Sequence, residues 1–202
     1  MSKKILTTIV FSLTFVMFSL AQGEWVLEKN KDGIKVYNRK IENSKLKEFK
    51  GTVVLNASVD DVLKVLSNYK LHDQFVYKAK KGSVELLKGT KSDIYTYMII
   101  DTPWPASNRD VVTHYHINPP NKDGSVRIDV KSVNGMKPEQ SGIVRVEEMK
   151  GYWELIPLSK GKVEVTHQAF SKPGGRVPDG LANAASVSAP YDMLESLKKI
   201  VE

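Results

Sequence analysis

The stretch PDGLANAASVSAPYDMLESLKKIV, residues 178–201, decides the fold. Leu181, Ala184, Val187, Tyr191, Leu194 and Val201 fall on one stripe at helical spacing. Ala182, Ala185, Ala189, Met193 and Ile200 widen that stripe. Pro178 suits a first-turn position. Pro190 lies inside the helix, removes one backbone donor and crowds the carbonyl of Ser186, so a kink is expected there. The amino half is rich in Ala and Ser, the carboxy half in larger residues. Two readings of that asymmetry stand. Small residues pack closely against a sheet, or something other than protein side chains covers the first half.

Most of the chain before this helix reads as strand. Trp25–Glu28 and Ile34–Arg39 flank Lys31-Asp32-Gly33, a hairpin signal. Phe49, Val53 and Leu55 alternate with Lys50, Thr52 and Asn56, although Val54 breaks the pattern. A short helix follows. Ser58 can cap it with Asp61 as capping-box partner, and Val59, Val62, Leu63, Leu66 and Tyr69 recur at helical spacing. Further strands are predicted near Gly82–Leu87, Ile94–Ile100, Arg109–Asn118, Ser125–Val133, Gly142–Ile156 and Lys162–Phe170. Asn121-Lys122-Asp123-Gly124 and Ser159-Lys160-Gly161 are turn clusters between them. Val126, Ile128 and Val130 alternate with Arg127, Asp129 and Lys131, the pattern of a sheet with one wet face. Short polar links imply antiparallel neighbours. No repeat or linker divides this region. It reads as one α+β domain, a long antiparallel sheet curled around a terminal helix.

Composition narrows the chemistry. The chain has 202 residues, a net charge of +7 and no cysteine. Disulfides, thiolate metal sites, a cysteine nucleophile and lipidation on cysteine are therefore excluded. Lys3 and Lys4, the uncharged run Ile5–Leu20, and the small residues Ser19 and Ala21 read as a secretory signal peptide, residues 1–21. The run falls short of the roughly 20 mostly apolar residues that a spanning helix needs. The mature domain, residues 22–202, is then expected outside the cytoplasm, periplasmic or secreted. Removing the signal lowers the net charge by two, and no stretch interleaves basic and aromatic residues as a nucleic-acid platform would. The remaining basic charge fits a solvated surface or contact with an anionic membrane. With no disulfide, the core alone must hold the domain, and about 180 residues suffice for that.

Three segments carry a family resemblance, in order. They are Trp104-Pro105-Ala106-Ser107-Asn108-Arg109-Asp110-Val111-Val112, then Met136-Lys137-Pro138-Glu139-Gln140-Ser141-Gly142-Ile143-Val144-Arg145-Val146-Glu147, then Pro173-Gly174-Gly175-Arg176-Val177-Pro178 before the amphipathic helix. Together they resemble the START family, the lipid-binding domains related to steroidogenic acute regulatory protein, from about Glu24 to Glu202. The resemblance implies a helix-grip fold, a curved sheet around the last helix with an internal hydrophobic tunnel. It implies binding of one lipid or other apolar molecule, with carriage between membranes in many members, and generally no enzymatic activity. No cofactor is expected, and the domain is expected to be a monomer. The secretory signal departs from the cytosolic members, so their partner organelles do not carry over. The alternative is a cyclase or aromatase acting on a hydrophobic substrate in the same tunnel, as some related grip folds do. That chemistry would need an acid or base in the cavity, and His167 and Tyr97 are the candidates.

A dry cavity binds an apolar ligand without catalytic groups and needs only a few polar residues to orient its head. Arg109 is the first, because the family's matching arginine faces the tunnel near an acidic partner. Alternation then puts Val111, Thr113 and Tyr115 on the tunnel side, and Asp110, His114 and His116 on the other. A buried arginine needs pairing, and Asp93 and Asp101 are the candidate carboxylates. His167 shares a face with Val163, Val165 and Ala169, whereas the competing phase buries Phe170. Leu181, Ala185 and Ser188 on the last helix complete the ligand set with Tyr97 and Met136. Trp104 and Met136 sit on loops that would form the tunnel entrance and touch a membrane, or would fold back onto the sheet. His114 and His116 point the same way, but two nitrogens without a third nearby ligand make a poor zinc site, so no metal is expected.

Overall fold

Asp32 and Gly33 both take positive φ, 54° and 79°. That is the backbone of a two-residue hairpin whose twist matches its strands. They join β1 (Val26–Lys31) to β2 (Ile34–Lys40) in the computed structural model, which describes residues 23–202. The predicted signal segment 1–21 lies outside the described residues.

β3 (Lys47–Leu55) runs back beside β2, and α1 (Val59–Ser67) follows at once. Ser58 caps α1 as expected: its Oγ accepts from the Asp61 amide at 3.2 Å, and its own amide donates to the Asp61 carboxylate at 3.3 Å. Val62 and Leu66 are the buried stripe. Tyr69 does not continue the helix. Asn68 ends it and accepts from the Lys70 amide, which starts a 3-10 turn, Tyr69–Leu71, leading into α2 (His72–Phe75). Side-chain competition for backbone donors is what stops helices at asparagine. The remaining strands are β4 (Glu85–Gly89), β5 (Asp93–Ile100), β6 (Arg109–Ile117), β7 (Val126–Ser132), β8 (Val144–Arg145), β9 (Glu148–Leu158) and β10 (Lys162–Lys172). The predicted strand 142–156 is thus two, broken at Val146 and Glu147. The short β8 pairs in parallel with β6 while β9 crosses to β7 and β10.

One curved, otherwise antiparallel sheet results, in the order β1-β2-β3-β10-β9-β7-β6-β5-β4 with β8 beside β6. α3 (Asp179–Val201) packs on β2 and β3 and touches β10, at one half of the sheet. Its buried residues Tyr191, Leu194 and Leu197 meet Ile34, Val36, Val53, Leu55 and Val163 in the main core. Each such side chain, fully buried, contributes about 1.5–3 kcal/mol. Gly51 makes the close approach possible. A Cβ there would lie 2.8 Å from Leu194 Cδ1 and 3.1 Å from Pro190 Cβ. Val54, which broke the alternation, faces outward and is simply an exposed valine.

The helix asymmetry resolves along its length. From Leu181 to Ala189 only Ser186 is buried, whereas the carboxy half carries most of the buried positions. Hydrogen bonds replace apolar packing in the amino half. The Asn38 amide and the Ser186 hydroxyl meet at 2.8 Å, and Tyr77 and Ser188 share a hydroxyl bond at 3.0 Å.

Candidate ligand-binding cavity

The amino half of α3 and the concave face of the sheet enclose a cavity of about 340 Å³. Where a strand contributes more than one residue, the lining residues alternate along it, because alternate side chains of a strand share a face. β5 supplies Met98 and Ile100, β6 supplies Arg109, Val111, Thr113 and Tyr115, β9 supplies Met149, Gly151 and Trp153, and β10 supplies His167 and Ala169. Phe49 and Phe75 add aromatic surface, and Leu181, Ala185, Ser188, Ala189 and Met193 form the helical wall. The small residues of α3 therefore border a space rather than a close-packed sheet.

The exposed lining residues Lys78, Asp101, Pro103, Ser171, Leu181 and Ala184 mark where the cavity meets solvent. Trp104 projects from the loop beside them with 91% of its surface exposed. It is not folded back onto the sheet.

Arg109 lines the cavity and is only 4% exposed. No carboxylate pairs with it among the described residues, which corrects the expected ion pair with Asp93 or Asp101. Asp93 instead accepts from His114 and His116, and Asp101 accepts from Asn108. The Arg109 guanidinium donates to three backbone carbonyls: Gly174 at 3.1 Å, Pro173 at 3.4 Å and Ser107. Burial lowers its pKa below the ordinary arginine value. The loop into α3 reaches it because Gly174 takes φ 71°, and a Cβ there would lie 2.5 Å from the Arg145 carbonyl.

His167 faces inward with Val163, Val165 and Ala169. Phe170 is buried as well, on the opposite face near the Lys150 and Lys172 ammonium groups. The two phases were not exclusive. The His167 ring stacks on Trp153 at 3.9 Å between centroids, and Phe49 meets its edge at 5.2 Å. Its Nδ1–H donates to the Tyr152 carbonyl at 3.1 Å, which fixes the tautomer and leaves Nε2 as an acceptor. Burial pushes its pKa down to about 4, so the ring is neutral at pH 7.

Thr113 lines the cavity, and its buried hydroxyl has no hydrogen-bond partner among the described residues. Ser188 lines it too, with its hydroxyl engaged by Tyr77 and by the Ala184 carbonyl. Two predicted ligand residues lie elsewhere. Tyr97 falls between Thr96 and Met98 on β5, so it faces the outer side, where it accepts from Gln140 at 2.9 Å. Burial and the nearby Asp110 charge push its pKa up to about 12. Met136 is exposed on the same outer side, because Arg145 ties its loop there through the Lys137 and Pro138 carbonyls. Sequence reasoning passed over Trp153, Phe49 and Phe75. The alternation Gly151, Trp153, Leu155 was the available signal for the first.

No family model matches the chain. An uncharacterized protein of Pseudomonas aeruginosa is 35% identical over 179 residues, covering 89% of this chain and 87% of that one. Phosphatidylcholine transfer protein of Rattus norvegicus is 27% identical over 188 residues, covering 90% and 85%. The crystal structure of a STAR-related lipid transfer protein from Xanthomonas axonopodis superposes with a TM-score of 0.81 at 39% identity, covering 88% of this chain and 98% of that one. With so similar a relative spanning nearly the whole fold, the chain belongs to the StAR-related lipid-transfer (START) domain family.

Proposed function

We propose that the protein binds one hydrophobic molecule in this cavity, with the polar end at Arg109, and carries it to or from a membrane surface outside the cytoplasm. The observation that carries this reading is an apolar cavity lined by a deeply buried cation, Arg109, that pairs with no carboxylate among the described residues. A buried cation held only by carbonyl dipoles is completed by an acceptor or anion on the ligand. The names of the rat and Xanthomonas relatives support the ligand class. The energetics are adequate. Burying about 16 methylenes at roughly 0.8 kcal/mol each yields on the order of 13 kcal/mol before the costs of association. The volume sits near the low end of the roughly 300–1,000 Å³ that small-molecule sites span, which favours a single-chain or compact ligand.

Membrane contact would run through the mouth. No described helix is long and apolar enough to cross a membrane. Trp104, with exposed Lys78 on the lining and exposed Arg176 next in the chain to the lining residue Val177, supplies an aromatic anchor and basic charge suited to an anionic surface. Export rests on the signal-like amino-terminal segment. The cyclase alternative has less support, because Tyr97 is outside the cavity and His167 alone remains as an acid–base candidate.

Native mass spectrometry after incubation with a total lipid extract tests the reading. A one-to-one adduct with an apolar molecule, released unchanged on denaturation, is expected. An unchanged mass after exposure to the extract overturns carriage, and chemical turnover of the bound molecule favours the enzyme.

A further inference from the structure

On the outer face of the sheet, away from the cavity, three side chains converge. Asp93 opens β5 and stands directly opposite His116 on β6, and His114 lies two residues away on the same face. His114 Nε2 and His116 Nδ1 each lie 2.8 Å from the same oxygen, Asp93 Oδ1. The three donor atoms lie within 4.8 Å of one another. The third donor that sequence spacing lacked is thus supplied by strand pairing.

The cluster is held in place from outside. The Ser92 hydroxyl donates to the other carboxylate oxygen, Oδ2, at 2.8 Å. The Tyr95 ring stacks on His114 at 4.2 Å with 2° between planes. Such supports orient ligands in metal centres. Asp129, across from His116, is already engaged by Arg127 and Asn118. The His116 side chain is 43% exposed, which leaves an approach for a cation.

We propose that Asp93, His114 and His116 form a zinc site, with water in the fourth position. Two imidazole nitrogens and a carboxylate oxygen are a ligand set that zinc takes with one open position. Zinc–ligand bonds of about 2.1 Å place tetrahedral ligand atoms about 3.4 Å apart. The two nitrogens, now 2.8 Å from Oδ1, therefore need to retreat by about 0.6 Å to admit the ion. Nitrogen donors set the site apart from the all-oxygen preference of magnesium and calcium.

The chain's composition makes the test clean. It has four histidines and no cysteine, and the other two histidines, His72 and His167, are buried. Zinc chloride is titrated into untagged protein by calorimetry, with ring nitrogens followed by NMR. One zinc per chain is expected, shifting the His114 and His116 rings and leaving those of His72 and His167 in place. His116→Ala and Asp93→Ala are each expected to weaken binding by about tenfold or more. Absence of one-to-one binding, zinc that leaves the His114 and His116 rings unmoved, or equal affinity in a folded His116→Ala variant overturns the site. The ring shifts are read on the unaltered chain, so they stand even if a variant fails to fold.

Discussion

Arg145 grips Asp110 through two hydrogen bonds, Nε to Oδ1 at 2.6 Å and Nη2 to Oδ2 at 3.0 Å. Both side chains are nearly sealed from solvent. The pairing explains why Arg109 and Asp110 stand together in sequence yet act apart. Successive strand residues face opposite sides, so Arg109 enters the cavity while Asp110 anchors the loop before β8. Asp110 holds the Arg145 pKa above the ordinary arginine value. Arg145→Ala would strand a buried carboxylate, and removal of one partner from such a pair costs about 3–5 kcal/mol. Urea denaturation should register that loss, with faster amide exchange across residues 134–143. A loss under about 1 kcal/mol would mean the pair behaves like a surface ion pair.

Arg109→Leu should keep the fold and lose the ligand. The change removes three hydrogen bonds to carbonyls but also an uncompensated buried charge. Native mass spectrometry and circular dichroism on the same sample separate the outcomes. Unfolding, or retained ligand occupancy, would sink the head-group role.

Trp104→Ala should leave stability within about 0.5 kcal/mol, because the side chain is exposed and packs on little. Its effect is expected on binding to vesicles containing anionic lipid and on transfer between them. Equal vesicle association in the variant would remove the loop from the membrane contact.

Gly51→Val should loosen α3 from β3. A Cβ at that position already presses on Leu194 and the stiff ring of Pro190, and the valine branches have no space. Overpacking of this kind costs about 1–3 kcal/mol, with Gly51→Ala at the lower end because the Leu194 tip can turn aside. Thermal melts of the two variants check the order.

Two buried histidines set a pH dependence. His72 and His167 are both pushed from an ordinary 6.5 down to about 4, chiefly by burial, so each folded ring stays neutral. Between those values the unfolded chain binds more protons than the folded one. Stability is therefore complete above about pH 6.5 and is lost as pH falls toward about 4, by up to roughly 3 kcal/mol for each ring. Denaturant midpoints measured from about pH 7.5 to about pH 5 should show the decline. In His167→Gln the decline should be shallower, and an unchanged slope would refute the assignment.

The elements were legible because their signals are local. The capping box at Ser58 and Asp61, the Asp32-Gly33 turn and the alternation in β7 depend on neighbours within a few residues. Arg109, Val111, Thr113 and His167 reached the cavity because a strand's period of two follows from backbone geometry once one residue's direction is known. The same rule places Tyr97 outside, since Met98 is its inward neighbour on β5.

By itself the sequence determined the order of the long strands and the two long helices, the α+β class, the family, and the two faces of β6. Local hydrogen bonding and hydrophobic period dictate these without distant partners. Only the tertiary structure decided what meets across the sheet. Arg109 finds carbonyls from residues 107, 173 and 174 rather than a carboxylate, and Asp93 finds two imidazoles instead. Those encounters depend on strand register and on where a loop returns, which are set by packing of the whole domain and leave no mark in the spacing of residues along the chain.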